Sequence, residues 1–256
     1  MTPGYERGAL FAGLVADAAR SRDRGAPATP PPADPAPPGA PRVPLPAGGA
    51  GGAGGAGGAT VGLEQALRRR TSVRTYAGRP LAPAQVATLL DSADTQDAGA
   101  WAGERAAGVG LTLLCAAWRV SSLQPALYRF EPRGRALLRL ATLPAGPAAE
   151  DLVLQREFAA APVLVLALGD LAAALRRHGS HGHRLLLARA GAAAHAAWLA
   201  ALAMGLEGTV FAGLLPAALR ELAGADGYTS APLFAFSAGW PRDPATGPVR
   251  TSQGRR

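Results

Sequence analysis

A low-complexity tract, residues 24–60, constrains the fold of this chain more than any other feature. It reads RGAPATPPPADPAPPGAPRVPLPAGGAGGAGGAGGAT, a proline-rich half followed by a glycine–alanine half. Proline-rich chains are extended and semi-stiff, glycine-rich chains are flexible, and neither buries enough apolar surface to fold. The sequence therefore predicts a disordered linker here, a short helical element at residues 1–23 and a folded domain over residues 61–243. The polar tail, residues 244–256, is predicted to be flexible.

The strongly basic composition says less about partners than it first suggests. The chain carries 26 basic and 18 acidic residues, a net charge of +8. All the basic residues are arginine, and lysine, asparagine and isoleucine are absent, which is typical of a very GC-rich genome. A basic chain can bind nucleic acid, but aromatic residues make up only 5% and form no ribbon with the arginines. Nucleic-acid binding stays an alternative that rests on charge alone.

The cysteine content and the apolar segments predict a cytoplasmic protein without a membrane span. Cys115 is the single cysteine and lies in the apolar run LTLLCAAW, so we expect a small buried side chain in a reducing compartment. The most apolar segment, residues 185–206, is rich in alanine and contains Arg189 and His195. It is predicted to be a core helix.

The segment RRRTSVRTY, residues 68–76, carries basic and hydroxyl side chains at alternate positions. If the segment is extended, Arg70, Ser72 and Arg74 point the same way, because a strand repeats every two residues. Two guanidinium groups that flank a hydroxyl make a good grip for a phosphate or another oxyanion. The alternative is a solvated basic segment that leads into a helix.

The remaining pattern predicts helices, a hairpin, a buried strand, a central helix and a final strand, which is an α+β fold with a helix-covered sheet. Helices are expected at residues 61–70, 81–94, 148–161, 183–206 and 216–225. Strands are expected at residues 108–120, 162–170, 208–215 and 231–241, with the hairpin at 126–141.

Four motifs in this order resemble the flavin-dependent nitroreductase superfamily, and within it the SagB-type dehydrogenases. RRRTSVRTY is similar to the opening R-R-x-S-x-R-x-[FY] signature, and SSLQPALYRFEPRGRALLRL to the hairpin of that branch. APVLVLALGD with HRLLLARAGAAAHAAWLAALAMGL resembles its strand and central helix, and FSAGWPR its last strand. The resemblance implies a dimer that binds FMN at the subunit interface and oxidises azolines to azoles (thiazole or oxazole) on a ribosomally made peptide.

The resemblance also assigns the cofactor-binding residues. Arg70, Ser72 and Arg74 would hold the FMN phosphate and ribityl chain, and Arg242 after the last strand would add a second grip on the phosphate. Gly213 is what remains of a V-G-G-F segment after the central helix. The P-S-x-G-type loop that completes the flavin pocket in the family is missing from DTQDAGAWAGERAAGVGLTL, residues 94–113.

The catalytic Lys-Tyr pair of the family falls on Arg177 and His178. Azoline oxidation needs a base; a guanidinium stays protonated, whereas an imidazole titrates near neutral pH. Only His178 could therefore serve, unless RRHGSHGHR is a polar, flexible loop without a catalytic role. The histidines at 178, 181 and 183 lack a nearby carboxylate or cysteine, so no metal site is predicted. His195 is expected to be a core residue or to lie over the flavin edge.

The resemblance implies a precursor peptide as substrate and a cyclodehydratase or other peptide-modifying subunits as partners. The family positions for Glu and His on the central helix hold Arg189 and Ala192. A second hypothesis is therefore a catalytically degenerate subunit that acts as a scaffold or holds the substrate, in a homo- or heterodimer.

Overall fold

A seven-stranded antiparallel sheet forms the centre of the molecule, in the strand order β1-β4-β3-β2-β5-β7-β6. The computed structural model describes residues 39–47 and 62–242. The expectations for residues 1–23 and 244–256, and for the linker at residues 24–38 and 48–60, lie outside these ranges. The strands are β1 (Arg42–Pro44), β2 (Leu111–Ala117), β3 (Ala126–Glu131), β4 (Ala136–Thr142), β5 (Val163–Gly169), β6 (Glu207–Phe211) and β7 (Ala231–Gly239). The helices are α1 (Leu63–Arg69), α2 (Pro83–Ala100), α3 (Ala102–Ala106), α4 (Leu171–His178), α5 (His181–Ala203) and α6 (Pro216–Ala223).

Strand β5 separates two hydrophobic cores, one on each face of the sheet. Its side chains alternate: Val163 and Val165 lie in the core beneath α2 and α5, whereas Leu164 and Leu166 lie in the opposite core. Two 3₁₀ helices, Gly146–Leu152 and Arg156–Ala160, contribute to the opposite core together with α6. The α+β class and the helix-covered sheet predicted from the sequence are confirmed.

The central helix α5 packs on one sheet face with only part of its surface. Leu186, Ala193 and Trp198 are buried in the first core. By length and apolar composition α5 could also cross a membrane, but the same helix is an integral part of this core. On its other side, Ala192 and His195 remain partly exposed.

The segment at residues 148–161 was predicted to be one α-helix, and this prediction is wrong. Two 3₁₀ helices lie there, and the chain between them pairs with the segment that follows β6. Val153 bridges Leu214, and the Leu154 N–H donates to the Gly213 carbonyl at 2.7 Å. A backbone that satisfies its hydrogen bonds in this way cannot continue an α-helix.

The prediction that residues 176–184 form a flexible loop is also wrong, because α4 and the start of α5 fill most of this segment. The Asp170 carboxylate accepts from the Ala173 N–H at 2.7 Å and caps α4. Gly179, at φ 57°, ends it. Gly182 lets the two helices approach, since a Cβ there would lie 2.3 Å from the Ala174 carbonyl oxygen.

Strand β1 lies inside the tract that was expected to be disordered. Arg42, Val43 and Pro44 pair with Leu138, Leu137 and Ala136 of β4. Arg42 forms an ion pair with Glu131, and Leu45 is buried. The prediction of a linker without structure is therefore wrong for this short stretch, because an edge strand needs only a few residues and a partner supplied by the rest of the chain.

We expect β1 to stabilise the folded domain. A chain that begins at Gly39 should retain it, whereas a chain that begins at Gly62 loses the burial of Leu45 and the pairing with β4. The shorter chain should be less stable by about 2 kcal/mol, the order expected for one buried leucine. Urea denaturation of the two chains measures the difference, and equal midpoints would show that β1 contributes nothing.

Candidate functional site

The arginine-rich segment at residues 70–76 runs along the outer edge of β6. The Val73 N–H donates to the Gly208 carbonyl at 3.2 Å, and Tyr76 forms a bridge with Pro241 after β7. Arg70 directly follows α1, with φ −66° and ψ 93°, so the segment begins where a helix ends. These contacts fix a basic segment against the sheet edge.

A chain of hydroxyl groups links this segment to the sheet. Thr209 of β6 donates through Oγ1 to Ser72 Oγ at 3.0 Å. Ser237 of β7 lies beside Thr209, and its Oγ is 2.6 Å from the Tyr76 hydroxyl. That hydroxyl donates to the Val73 carbonyl at 2.8 Å. Burial raises the pKa of Tyr76 to about 12, so its phenol stays protonated at neutral pH.

Arg70 and Arg74 contact opposite faces of the sheet, which differs from the common direction expected for an extended segment. The Arg70 guanidinium lies 4.9 Å from the ring centre of Trp198 on α5. The Arg74 guanidinium lies 5.7 Å from the Phe158 ring in the other core and forms an ion pair with Glu157 at 3.3 Å. Because the segment follows a helix and meets β6 at a single backbone hydrogen bond, it does not keep the two-residue repeat of a strand.

The other two predicted cofactor residues lie in different surroundings. Arg242 is exposed after β7, next to the Tyr76–Pro241 bridge. Gly213 is covered by Gln155, because a Cβ at Gly213 would lie 2.4 Å from the Gln155 Oε1 atom. The approach to the Gly213 backbone is therefore occupied by this chain's own side chain.

Arg177 and His178 converge on one carboxylate. Glu104 Oε2 lies 3.0 Å from Arg177 Nε and 2.7 Å from His178 Nε2, and all three side chains are at least three-quarters buried. Burial by itself raises the pKa of Glu104, but the hydrogen bonds from His178 and Arg177 together outweigh it, so this pKa lies below its ordinary value. Glu104 is thus ionised at neutral pH and orients the His178 ring, as a third group orients the base in many catalytic sites.

A buried ion pair that the sequence analysis did not predict holds the central helix to α2. Arg189 and Asp97 are 1% and 2% exposed, and the two nitrogens of a guanidinium fork meet both carboxylate oxygens at 2.9 and 3.0 Å. Arg189 also donates to the Val109 carbonyl at 2.7 Å. The sequence signal for this pair is the lone Arg189 in an alanine-rich helix, because a buried arginine needs a charged partner.

Cys115 and Tyr128 serve packing. Cys115 is fully buried, which raises its pKa to about 12 and keeps the thiol unreactive. Tyr128 is buried, donates to the Gln124 carbonyl at 2.7 Å and has a pKa raised by burial. In the described residues, no group of three or more His, Cys, Asp or Glu side chains could hold a metal ion.

Comparison with known proteins identifies the family. Residues 67–240 match the sequence profile of the Nitroreductase family. The chain belongs to the nitroreductase family. Its members typically are flavin-dependent oxidoreductases that bind FMN. No curated protein sequence matches this nitroreductase-family chain.

Solved structures share the nitroreductase fold at low sequence identity. A nitroreductase-like protein from Anabaena variabilis superposes with a TM-score of 0.58 at 20% identity, over 69% of this chain and 37% of its own. A similar protein from Ralstonia eutropha superposes with a TM-score of 0.56 at 19% identity, over 86% of this chain and 96% of its own. The third structure is the Escherichia coli microcin synthetase McbBCD complex, solved with truncated pro-MccB17 bound. One of its chains superposes with a TM-score of 0.53 at 19% identity, over 70% of this chain and 73% of its own. This chain thus spans little more than a third of the Anabaena protein.

The residues present fit the phosphate end of FMN better than its ring end. Beneath Arg70, the buried indole N–H of Trp198 has no hydrogen-bond acceptor within the described residues. Together with the exposed Arg70 and with Ser72, which is exposed two residues further along the segment, this N–H gives donors that suit an oxygen-rich anion. At the ring end, Gln155 covers the glycine that the resemblance assigns to the cofactor.

Proposed function

We propose that this chain binds FMN through the segment at residues 70–76 and oxidises azolines to azoles on a ribosomally made peptide. The observation that carries the proposal is the pair of exposed donors Arg70 and Ser72, which no carboxylate touches within the described residues. The buried indole N–H of Trp198 on α5, whose ring lies beneath Arg70, lacks an acceptor there. The fold shared with a chain of a microcin synthetase complex supports a peptide substrate and peptide-modifying partners.

Azoline oxidation removes a proton and a hydride from neighbouring ring atoms. Bound FMN would supply the hydride acceptor. The chain must supply the base, and His178, oriented by Glu104 at 2.7 Å, is the candidate that has an orienting partner. Arg177 would hold the carboxylate in place and contribute positive charge.

Two copies of the chain would be needed to bring the phosphate-binding Arg70 and the base His178 to the same FMN molecule. Arg70 contacts Trp198 near the end of α5, whereas His178 ends α4, three residues before the start of α5. From His181 to Trp198 the helix rises about 25 Å, at about 1.5 Å per residue. The partly exposed side of α5, with Ala192 and His195, supports an antiparallel dimer in which one subunit's base approaches the FMN of the other.

FMN titration tests the proposal. Loss of a charge-assisted phosphate contact costs about 1.5–3 kcal/mol. The Arg70→Ala variant should therefore bind FMN at least about tenfold more weakly, whereas riboflavin, which has no phosphate, should bind both proteins alike. The Arg69→Ala variant removes the same charge from an exposed position at the end of α1, next to the segment, and should bind FMN like the wild type. Unchanged FMN affinity in the first variant would refute the assignment.

A second candidate function, a degenerate subunit that holds the substrate or a partner enzyme, is favoured by the contacts at the ring end. Gln155 lies against Gly213, and one ring nitrogen of His178 is already hydrogen-bonded to Glu104, which also pairs with Arg177. A wild-type protein that does not bind FMN but copurifies with an active flavoprotein would support this function over the first.

A further inference from the structure

We propose that Thr209 is a positioning residue that sets the Ser72 hydroxyl for the phosphate of FMN. This inference rests on the FMN-binding function proposed above and names a residue outside the arginine-rich segment. Thr209 is 4% exposed, whereas Ser72 is exposed at the edge of β6. The two residues therefore have different roles, since Thr209 is fixed in the sheet and Ser72 faces the ligand.

The direction of the hydrogen bond frees the proton of Ser72. Thr209 Oγ1 donates to Ser72 Oγ at 3.0 Å. A hydroxyl carries one proton and two lone pairs, so an accepted bond leaves the Ser72 proton for another acceptor. The alternative acceptor for Thr209, the Val210 carbonyl, is 3.5 Å away and is the weaker partner.

Thr209 can position Ser72 because both its backbone N–H and its backbone carbonyl are hydrogen-bonded to Ser237. Its N–H donates to Ser237 Oγ at 3.3 Å, and its carbonyl accepts from the same oxygen at 3.2 Å. Ser237 in turn lies 2.6 Å from the Tyr76 hydroxyl, which donates to the Val73 carbonyl. The hydrogen bonds thus run from Ser72 through Thr209, Ser237 and Tyr76 to the carbonyl of Val73, the residue after Ser72. This closed path fixes the backbone at Ser72 and Val73.

An anionic oxygen gains from this arrangement more than a neutral one does. A hydroxyl that accepts a hydrogen bond becomes a better donor, because linked hydrogen bonds polarise each other. A bond from Ser72 to a phosphate oxygen is charge-assisted. Thr209 should therefore contribute to the preference for FMN over riboflavin.

The test is a mutant cycle in the full chain, with FMN and riboflavin affinities measured by flavin fluorescence. Thr209→Val keeps the shape and removes the hydroxyl, and should weaken FMN binding about 3- to 10-fold, the worth of one hydrogen bond. Thr209→Ser keeps a hydroxyl and should restore the wild-type affinity. Ser72→Ala should weaken FMN binding similarly, and adding Thr209→Val should cause no further loss. Riboflavin affinity should be the same in all variants.

Wild-type FMN affinity in Thr209→Val, additive losses in the double variant or an equal loss of riboflavin would overturn the inference and leave the proposed function intact. A wild-type protein that does not bind FMN would overturn both. Thr209→Ala provides the same comparison if the valine variant does not fold.

Discussion

Replacing Arg189 by methionine should lower the free energy of unfolding by about 3–5 kcal/mol, because it leaves the buried carboxylate of Asp97 without its main partner. Arg105 remains, but its guanidinium is 3.7 Å from Asp97 and already bonded to Asp94 at 2.8 Å. Urea denaturation followed by circular dichroism measures the loss.

Two matched variants separate the ion pair from general effects on α5. Arg184→Met makes the same change at an exposed position of this helix and should alter stability by no more than about 0.5 kcal/mol. The double variant Arg189→Met, Asp97→Leu buries no unpaired charge and should recover most of the lost stability. A single Arg189→Met variant as stable as the wild type would show that the pair is not needed to hold α2 to α5.

Replacing His178 by alanine should lower the rate of azoline oxidation by roughly 10²–10⁴-fold, the usual contribution of a general base. The measurement is turnover of an azoline-containing peptide with FMN supplied. His183→Ala, which removes an exposed histidine near the start of α5, should keep the wild-type rate. The comparison tests the chemical role of His178 directly.

The other outcomes decide between the two functions. If wild type and His178→Ala are equally inactive but both assemble with a partner enzyme, the chain is a degenerate subunit. If both are equally active, the base lies elsewhere. His195 is then tested before Tyr128, because burial raises the pKa of Tyr128 and its hydroxyl already donates to Gln124.

The sequence predicted the long elements of the fold because their signals are local. β5 is a continuous apolar run, and α2 begins at Pro83 as its sequence indicates. β1 could not be predicted, since three residues carry almost no pattern and their partner in β4 lies far along the chain. The glycines at 179 and 182 suggested a loop, but one ends α4 and the other allows close packing with α5.

The candidate site was predictable in its residue types and not in its geometry. The alternation in RRRTSVRTY predicted a basic segment with a hydroxyl, but it could not show that this segment lies at a sheet edge or that Arg70 and Arg74 turn to opposite faces. Spacing also could not identify Thr209 or Glu104, because their contacts with Ser72 and His178 join segments distant in sequence.

The edge position of β1 has a consequence for solubility. An unpaired strand at a sheet edge is a template for aggregation, and β4 would be such an edge without β1. Prolines at 41, 44 and 46 have no N–H to donate, so β1 and its flanks offer an incoming strand few donors. The prolines in and beside β1 therefore make this edge of the sheet a poor template for self-association.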